Sequence, residues 1–152
     1  MRVQFLSGTE TGTAEILCED LSIGVAGKVE ASFASLADIS PTELIPDVFY
    51  IFVSSTTGNG DIPATAENFY KSLRQETPDL SNIRFAMFGL GDRSFDFTFN
   101  QGSEKLMIEL IRCNAVQVGE RGLHDGSSDD LPEEVAMPWL EKVLAMARAS
   151  SH

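Results

Sequence analysis

The sequence has few of the residues that mark secreted, membrane-spanning or metal-binding proteins. Its two cysteines, Cys18 and Cys113, stand far apart and form no CxxC or zinc-ligand spacing. No apolar run approaches the ~20 residues of a membrane span, and the N-terminus turns polar too quickly for a signal peptide. We therefore expect a cytoplasmic protein without a metal site, whose cysteines lie buried as small apolar side chains.

Basic residues are scarce beside acidic ones. Lysine and arginine number 11 against 23 aspartates and glutamates, which gives a net charge of −12. Such a surface repels nucleic acid and anionic membranes, and it attracts basic protein partners over long range. Acidic surfaces also serve solubility alone, so the charge by itself does not choose between a docking role and plain solubility.

The segment from Ser7 to Glu15 contains no lysine or arginine but is dense in hydroxyl groups and glycine. It follows an apolar strand and precedes apolar residues with helical spacing. The backbone N–H groups at a helix start, together with the positive end of the helix dipole, hold a phosphate without a basic side chain. The segment therefore predicts an anion site and favours a mononucleotide over a nucleoside triphosphate.

The rest of the chain alternates strand and helix patterns. This order predicts one domain, residues 1–152, with an α/β fold in which a doubly wound five-stranded parallel sheet carries helices on both faces. The predicted strands are Val3–Ser7, Lys28–Phe33, Val48–Val53, Arg84–Leu90 and Ala115–Gly119. The predicted helices are Thr13–Val25, Ala66–Arg74, Gly102–Cys113 and a C-terminal helix that we expect to break near Pro138.

Two more polar loops follow the third and fourth predicted strands. Residues 54–63 contain glycines that permit close backbone approach to a planar ligand. Residues 89–100 contain Phe95, Phe97 and Phe99, whose rings suit stacking on an aromatic ligand, although Phe97 and Phe99 also suit the core of the next helix. Because doubly wound sheets bind ligands at the carboxyl ends of their strands, three such loops favour a cofactor site over three ordinary turns.

These loops, in this order, resemble those of the flavodoxin-like FMN-binding family. Thr11–Glu15 is similar to the phosphate loop of the FMN domains in diflavin reductases. Gly58–Pro63 resembles the second loop of short flavodoxins, and Gly89–Asp92 resembles the third FMN loop. The similarity spans Val3 to Leu144. It implies a flavodoxin fold, FMN as the cofactor and electron transfer as the function.

The resemblance also implies a role for each loop. In the first loop, the hydroxyls of Thr9, Thr11 and Thr13 would donate to the phosphate, and Glu10 would offer its backbone amide with its carboxylate toward solvent. The second and third loops would cover the two sides of the flavin. The implied cofactor-binding residues are Thr9, Glu10, Thr11, Gly12, Thr13, Ala14, Ser55, Thr56, Thr57, Gly58, Asn59, Gly60, Leu90, Gly91, Asp92, Phe95, Phe97, Phe99, Asn100 and Asp125.

Two positions depart from the family pattern. Thr57 stands where many members have an aromatic residue against the flavin. Residues 95–100 are one residue longer than usual, and phenylalanine replaces the usual tyrosine. Phe95 and Phe97 are therefore alternative stacking residues.

The implied function is a monomeric electron carrier rather than an enzyme with its own substrate. It would take single electrons from a separate NAD(P)H-dependent flavin reductase and pass them to an acceptor enzyme with a basic face. We identify no catalytic residues, and His124, which has no nearby nucleophile or second ligand, is expected on the surface.

Two alternatives to the carrier stay open, and two are excluded. The open ones are a self-standing flavin-dependent NAD(P)H reductase and a flavodoxin-like interaction module with weak or no flavin binding. A phosphoacceptor receiver domain is excluded because Ser7–Thr9 and Ser54–Ser55 stand where its acidic residues belong. A nucleotide hydrolase is excluded because no Gly-x-x-x-x-Gly-Lys-Ser/Thr motif is present.

Overall fold

A parallel sheet lies at the centre of the molecule and carries helices on both faces in the computed structural model, which describes residues 1–56, 61–91 and 101–149. The strands are β1 (Arg2–Gly8), β2 (Glu30–Ser35), β3 (Val48–Ser54), β4 (Arg84–Gly91), β5 (Val116–Gln117) and β6 (Gly122–Asp125). The helices are α1 (Thr13–Val25), α2 (Glu67–Glu76), α3 (Gln101–Arg112) and α4 (Pro132–Ala149), and 3₁₀ turns span Leu36–Asp38, Pro41–Glu43 and Ala64–Ala66.

The strand order is β2-β1-β3-β4-β5, and every pair is parallel. This order confirms the predicted doubly wound sheet. The position of the predicted fifth strand is shared by two short strands, since β5 pairs with Arg84 and Phe85 of β4 and β6 pairs with the end of β4. Gly119, with φ of +74°, lies in the segment that separates them. A residue without a Cβ adopts this left-handed conformation readily.

Strand β3 shows how the sheet supports two cores. All seven of its residues are buried. Because side chains alternate along a strand, Phe49 and Ile51 pack with α1 and α4, whereas Tyr50 and Phe52 pack with α2 and α3. This continuous apolar run is typical of a parallel strand that is covered on both faces.

The break predicted near Pro138 is wrong. Helix α4 runs without interruption from Pro132 to Ala149, with Pro138 inside it. An interior proline costs a helix about 3 kcal/mol through a lost hydrogen bond and a steric clash. The buried side chains of Ala136, Leu140 and Val143 hold the helix against the sheet on both sides of Pro138, and this packing offsets the cost.

Both cysteines are buried, as predicted, one in each core. Burial raises the pKa of both thiols, and the charge of Glu15 raises that of Cys18 further. Within the three described ranges, no helix is long and apolar enough to cross a membrane.

Candidate functional site

Four strands end together at one edge of the sheet. In the strand register, Gly8 of β1 lies opposite Ser54 of β3, Ser54 lies opposite Gly89 of β4, and Gly91 lies opposite Asp125 of β6. From β1 the sheet extends to β2 on one side and to β3 on the other, so the chain changes direction between β1 and β3. Ligands of open α/β sheets bind at such a switch point.

The first loop, residues 8–12, folds on itself before α1 begins. The buried Thr9 hydroxyl accepts a hydrogen bond from the Gly12 amide at 2.8 Å. Gly12 has φ of +95°, a conformation that favours glycine, and its carbonyl accepts the first helical bond, from Ile16 N at 3.0 Å. Among the described residues, no side chain caps this helix start. The first amides of α1 and the positive end of its dipole are therefore presented at the sheet edge.

The hydroxyls of Thr11 and Thr13 stand beside this helix start, with their oxygen atoms 3.5 Å apart. Both residues are exposed, whereas Thr9 is buried and its hydroxyl already bonds within the loop. Thr11 and Thr13 thus supply surface hydroxyl donors next to the uncapped amides. This set of groups suits an anion that is met by hydrogen bonds alone.

The first loop is also tied to the chain that follows the second loop. Thr9 N donates to Thr65 Oγ1 at 2.7 Å, and Thr9 O accepts from Thr65 N at 3.4 Å. The Glu10 side chain is exposed, but its Oε1 accepts from Ala64 N at 2.5 Å. The carboxylate that we expected to face solvent therefore joins two loops.

The described part of the second loop is held from both sides. Ser55 donates to the Gly8 carbonyl through its backbone N at 2.9 Å and through its hydroxyl at 3.2 Å. Thr56 Oγ1 accepts from Gly102 N, at the start of α3, at 3.0 Å. A Cβ on Gly102 would lie 2.6 Å from the Ser55 carbonyl oxygen, so the close approach of α3 requires glycine.

The described part of the third loop is short. Leu90 is buried at the end of β4, and the Gly91 carbonyl accepts from Gly126 N at 2.7 Å. Beside it, Asp125 Oδ1 accepts from Ser127 N at 2.9 Å and from the Ser127 hydroxyl at 2.7 Å. Asp125 thus stands at the predicted edge, where it shapes its own turn.

Some predicted site residues lie outside the described residues. They are Thr57, Gly58, Asn59, Gly60, Asp92, Phe95, Phe97, Phe99 and Asn100. Their roles at the flavin, including the choice between Phe95 and Phe97, stay predictions.

The flavodoxin family model matches residues 6–139 of this chain. The chain belongs to the flavodoxin family. Over 140 residues it is 35% identical to protein MioC of Escherichia coli K12, in an alignment that covers 91% of this chain and 92% of that protein. It is 33% identical over 141 residues to human NADPH–cytochrome P450 reductase, in an alignment that covers 89% of this chain and 20% of the reductase.

A solved structure gives the same picture. A cysteine-to-serine mutant of flavodoxin from Pseudomonas aeruginosa superposes with a TM-score of 0.82 at 30% identity, covering 97% of this chain and 99% of that one. The predicted family and fold class are therefore confirmed, and the family supports FMN as the cofactor and electron transfer as the broad function.

The described residues of this flavodoxin fit the phosphate of FMN. The uncapped amides of α1 and the hydroxyls of Thr11 and Thr13 are donors, and a phosphate is an acceptor of several hydrogen bonds. Among the described residues, no group of three or more His, Cys, Asp or Glu side chains is arranged to hold a metal ion. The donors that the described residues offer to an anion at the start of α1 are therefore neutral groups.

The surface position predicted for His124 is wrong. His124 is 6% exposed, and its Nε2 lies 2.8 Å from the Asp130 carbonyl oxygen. Strand β6, which the sequence did not predict, places it opposite Leu90 of β4 and beneath the turn that follows Asp125. A four-residue strand carries too little periodicity to be recognised from sequence.

Sequence analysis also missed Thr65 and Gly102. Thr65 lies just after a recognised motif, and its role is visible only once β1 and the 3₁₀ turn Ala64–Ala66 are neighbours in space. Gly102 could have been recognised from the sequence. A glycine within a predicted helix lowers the stability of that helix, so its presence indicates that another part of the chain approaches closely there.

Proposed function

We propose that this flavodoxin is a monomeric cytoplasmic carrier of single electrons, which takes them from a separate NAD(P)H-dependent flavin reductase and passes them to an acceptor enzyme with a basic face. One observation carries the cofactor part of this proposal. The uncapped start of α1 lies at the carboxyl end of β1, beside exposed hydroxyls, in a segment without lysine or arginine. This arrangement suits the phosphate of a mononucleotide.

The chain's part in the reaction is to bind and orient its cofactor. FMN, when bound, supplies the redox chemistry. The α1 amides and the Thr11 and Thr13 hydroxyls would hold the phosphate end. Ser55 and Thr56, fixed by Gly8 and by α3, would hold the start of the loop that covers the flavin. The flavin would thus be anchored at one end and positioned at the other.

The charge of α1 supports docking of a basic partner close to this end of the cofactor. Glu15, Glu19 and Asp20 are exposed on α1, and the helix contains no basic residue. Ile16 and Ile23 are exposed on the same helix and offer apolar contacts. Opposite charges speed association and fix orientation, and salt weakens both effects.

A flavin titration tests the cofactor part of the proposal. The flavin-free protein is titrated with FMN, FAD and riboflavin while the quenching of flavin fluorescence is followed. We expect FMN to bind much more tightly than riboflavin, because riboflavin lacks the phosphate. Equal binding of FMN and riboflavin, or no binding of any flavin, would overturn the proposal and leave the interaction module.

Mixing the FMN-loaded protein anaerobically with NADPH tests the carrier part. We expect slow reduction by NADPH alone and fast reduction once a catalytic amount of a flavin reductase is added. Fast NADPH consumption by the protein alone would instead identify a self-standing reductase.

A further inference from the structure

The hydroxyl group of Thr65, which lies outside the first loop, bonds to both backbone groups of Thr9 within it. Thr65 Oγ1 accepts from Thr9 N at 2.7 Å and lies 3.3 Å from Thr9 O, to which it donates. One hydroxyl can perform both roles, since it carries one proton and two acceptor sites. Thr65 N reinforces the contact by donating to the same Thr9 carbonyl at 3.4 Å. Both backbone groups of Thr9 are therefore fixed by Thr65.

The contact with Thr65 extends to the helix start. The Thr9 hydroxyl accepts from Gly12 N, and Gly12 O accepts from Ile16 N in the first turn of α1. The position of the uncapped amides thus depends on Thr9, which depends on Thr65. Thr65 itself belongs to the 3₁₀ turn Ala64–Ala66 and not to the loop that would touch the phosphate.

Glu10 adds a second tie of a different kind. Its carboxylate accepts from Ala64 N at 2.5 Å, next to Thr65, and so fixes the loop to the same turn. It also places a negative charge in a loop without a cation, and a like charge disfavours a bound phosphate. Glu10 therefore has two opposed effects, one that orders the loop and one that repels its ligand.

We propose that Thr65 and Glu10 are positioning residues whose side chains order the first loop for the FMN phosphate without touching it. Ordering a binding loop in advance increases affinity because less conformational freedom is lost on binding. This inference rests on the proposed function. Since only the phosphate end is affected, Thr65 and Glu10 should control the preference for FMN over riboflavin and leave the affinity for the flavin ring unchanged.

Two substitutions at Thr65 test the first half of the inference. Thr65→Val removes the hydroxyl and nearly keeps the shape, whereas Thr65→Ser keeps the hydroxyl. Thr42→Val is the matched control, because Thr42 is an exposed threonine in another 3₁₀ turn and its hydroxyl contacts only the Ser40 hydroxyl among the described residues. Fluorescence titration gives the Kd for FMN and for riboflavin, and urea unfolding shows that each variant is folded.

We expect Thr65→Val to raise the Kd for FMN about tenfold, the equivalent of one lost hydrogen-bonded tie, with the Kd for riboflavin unchanged. Thr65→Ser and Thr42→Val should bind like the wild type. If a folded Thr65→Val protein keeps the wild-type ratio of the Kd for FMN to the Kd for riboflavin, the proposed role of Thr65 is overturned. This holds whether both constants stay the same or both rise equally. A wild type that binds FMN and riboflavin alike would overturn the proposed function as well.

Two substitutions at Glu10 separate the effect of its hydrogen bond to Ala64 N from the effect of its charge. Glu10→Gln keeps an oxygen that can accept from Ala64 N but removes the charge, so FMN should bind as tightly as to the wild type or more tightly. Glu10→Ala removes both the accepting oxygen and the charge, so the Glu10→Ala protein should bind FMN several-fold more weakly than the Glu10→Gln protein. Equal FMN affinity of the two variants would overturn the positioning role of Glu10. These variants also test the inference if Thr65→Val does not fold.

Discussion

The two layers of helices that cover the sheet differ in how they pack and in what they hold. The layer of α1 and α4 meets the sheet through leucines and small side chains such as Ala14 and Cys18, and α1 carries the phosphate loop at its start. On the other face, the ring of Phe69 in α2 lies 5.8 Å from that of Phe52 in β3, which lies 5.9 Å from that of Phe85 in β4, and α3 adds leucines. Both layers contribute to the proposed site, because α1 begins at the first loop and α3 contacts Ser55 and Thr56 of the second loop.

Truncating Phe52 should have the largest effect. Its ring is fully buried between two other rings, so Phe52→Ala should lower the free energy of unfolding by about 3–5 kcal/mol. Urea unfolding measures this change. Phe33→Ala is the control, since Phe33 is 45% exposed on the edge strand β2, and it should cost about 1 kcal/mol or less. Similar losses from both substitutions would mean that the aromatic cluster is not the centre of this layer.

An added methyl group at Gly102 should come next. Its Cβ would lie 2.6 Å from Ser55 O and 2.9 Å from Thr56 Oγ1, so α3 or the second loop must move. We expect a loss of about 1–3 kcal/mol from overpacking, although alanine favours a helix by ~1 kcal/mol over glycine. Riboflavin binding should weaken as well, because the displaced loop is the one proposed to cover the flavin.

Gly27→Ala is the control for this substitution. Apart from its two chain neighbours, none of the described residues has an atom within 4 Å of the position that a Cβ on Gly27 would occupy. Its stability and its flavin affinity should match the wild type. If Gly102→Ala behaves in the same way, α3 does not determine the geometry of the second loop.

The two cysteines allow the two layers to be compared by pH. Burial raises the pKa of each thiol, so the folded state keeps protons that the unfolded chain releases above its usual thiol pKa of about 8.5. The contribution of each thiol to the free energy of unfolding is fully present below that pH. Above it, the free energy of unfolding falls by up to ~1.4 kcal/mol for each pH unit and each thiol. Arg112 opposes the rise at Cys113, whereas Glu15 adds to the rise at Cys18.

Cys18→Ala should therefore flatten the alkaline loss of stability more than Cys113→Ala does. Urea unfolding at several pH values between about 8 and 10 measures the two slopes. Comparing slopes removes the separate cost of truncating each side chain. Equal slopes in the two variants would mean that the Cys113 thiol of the folded protein stays protonated across this pH range as fully as the Cys18 thiol does.

The features that sequence analysis predicted were those with a local signal. The six apolar residues Val48–Val53 of β3, the helical spacing after Thr13 and the polar residues of each loop lie within short stretches of chain. They were enough for the doubly wound sheet and for the placement of the first loop at its edge. The strand and the helix are recognisable because apolar residues recur with the period of each backbone conformation.

The features that sequence analysis missed depend on contacts between distant segments. Pro138 stays in a helix because the sheet holds α4 on both sides of it. His124 is buried because β6 pairs with β4, and Thr65 acts on a loop 56 residues away in sequence. The helix and strand propensities of single residues do not report such contacts, and tertiary packing can override them.

Removing an exposed ion pair should have the smallest effect on the free energy of unfolding. One ion pair from each helix layer allows the two layers to be compared. Lys28 Nζ lies 3.9 Å from Glu141 of α4, with both side chains mostly exposed, so Lys28→Ala should cost at most about 0.5 kcal/mol. In the other layer, Glu109 is 13% exposed and pairs with both Arg74 and Arg112, so Glu109→Gln should cost more. Unfolding in about 1 M salt, where the Debye length is ~3 Å, should abolish the first loss. Part of the loss at Glu109 should persist, because its side chain is only 13% exposed and salt screens a partly buried pair less than an exposed one.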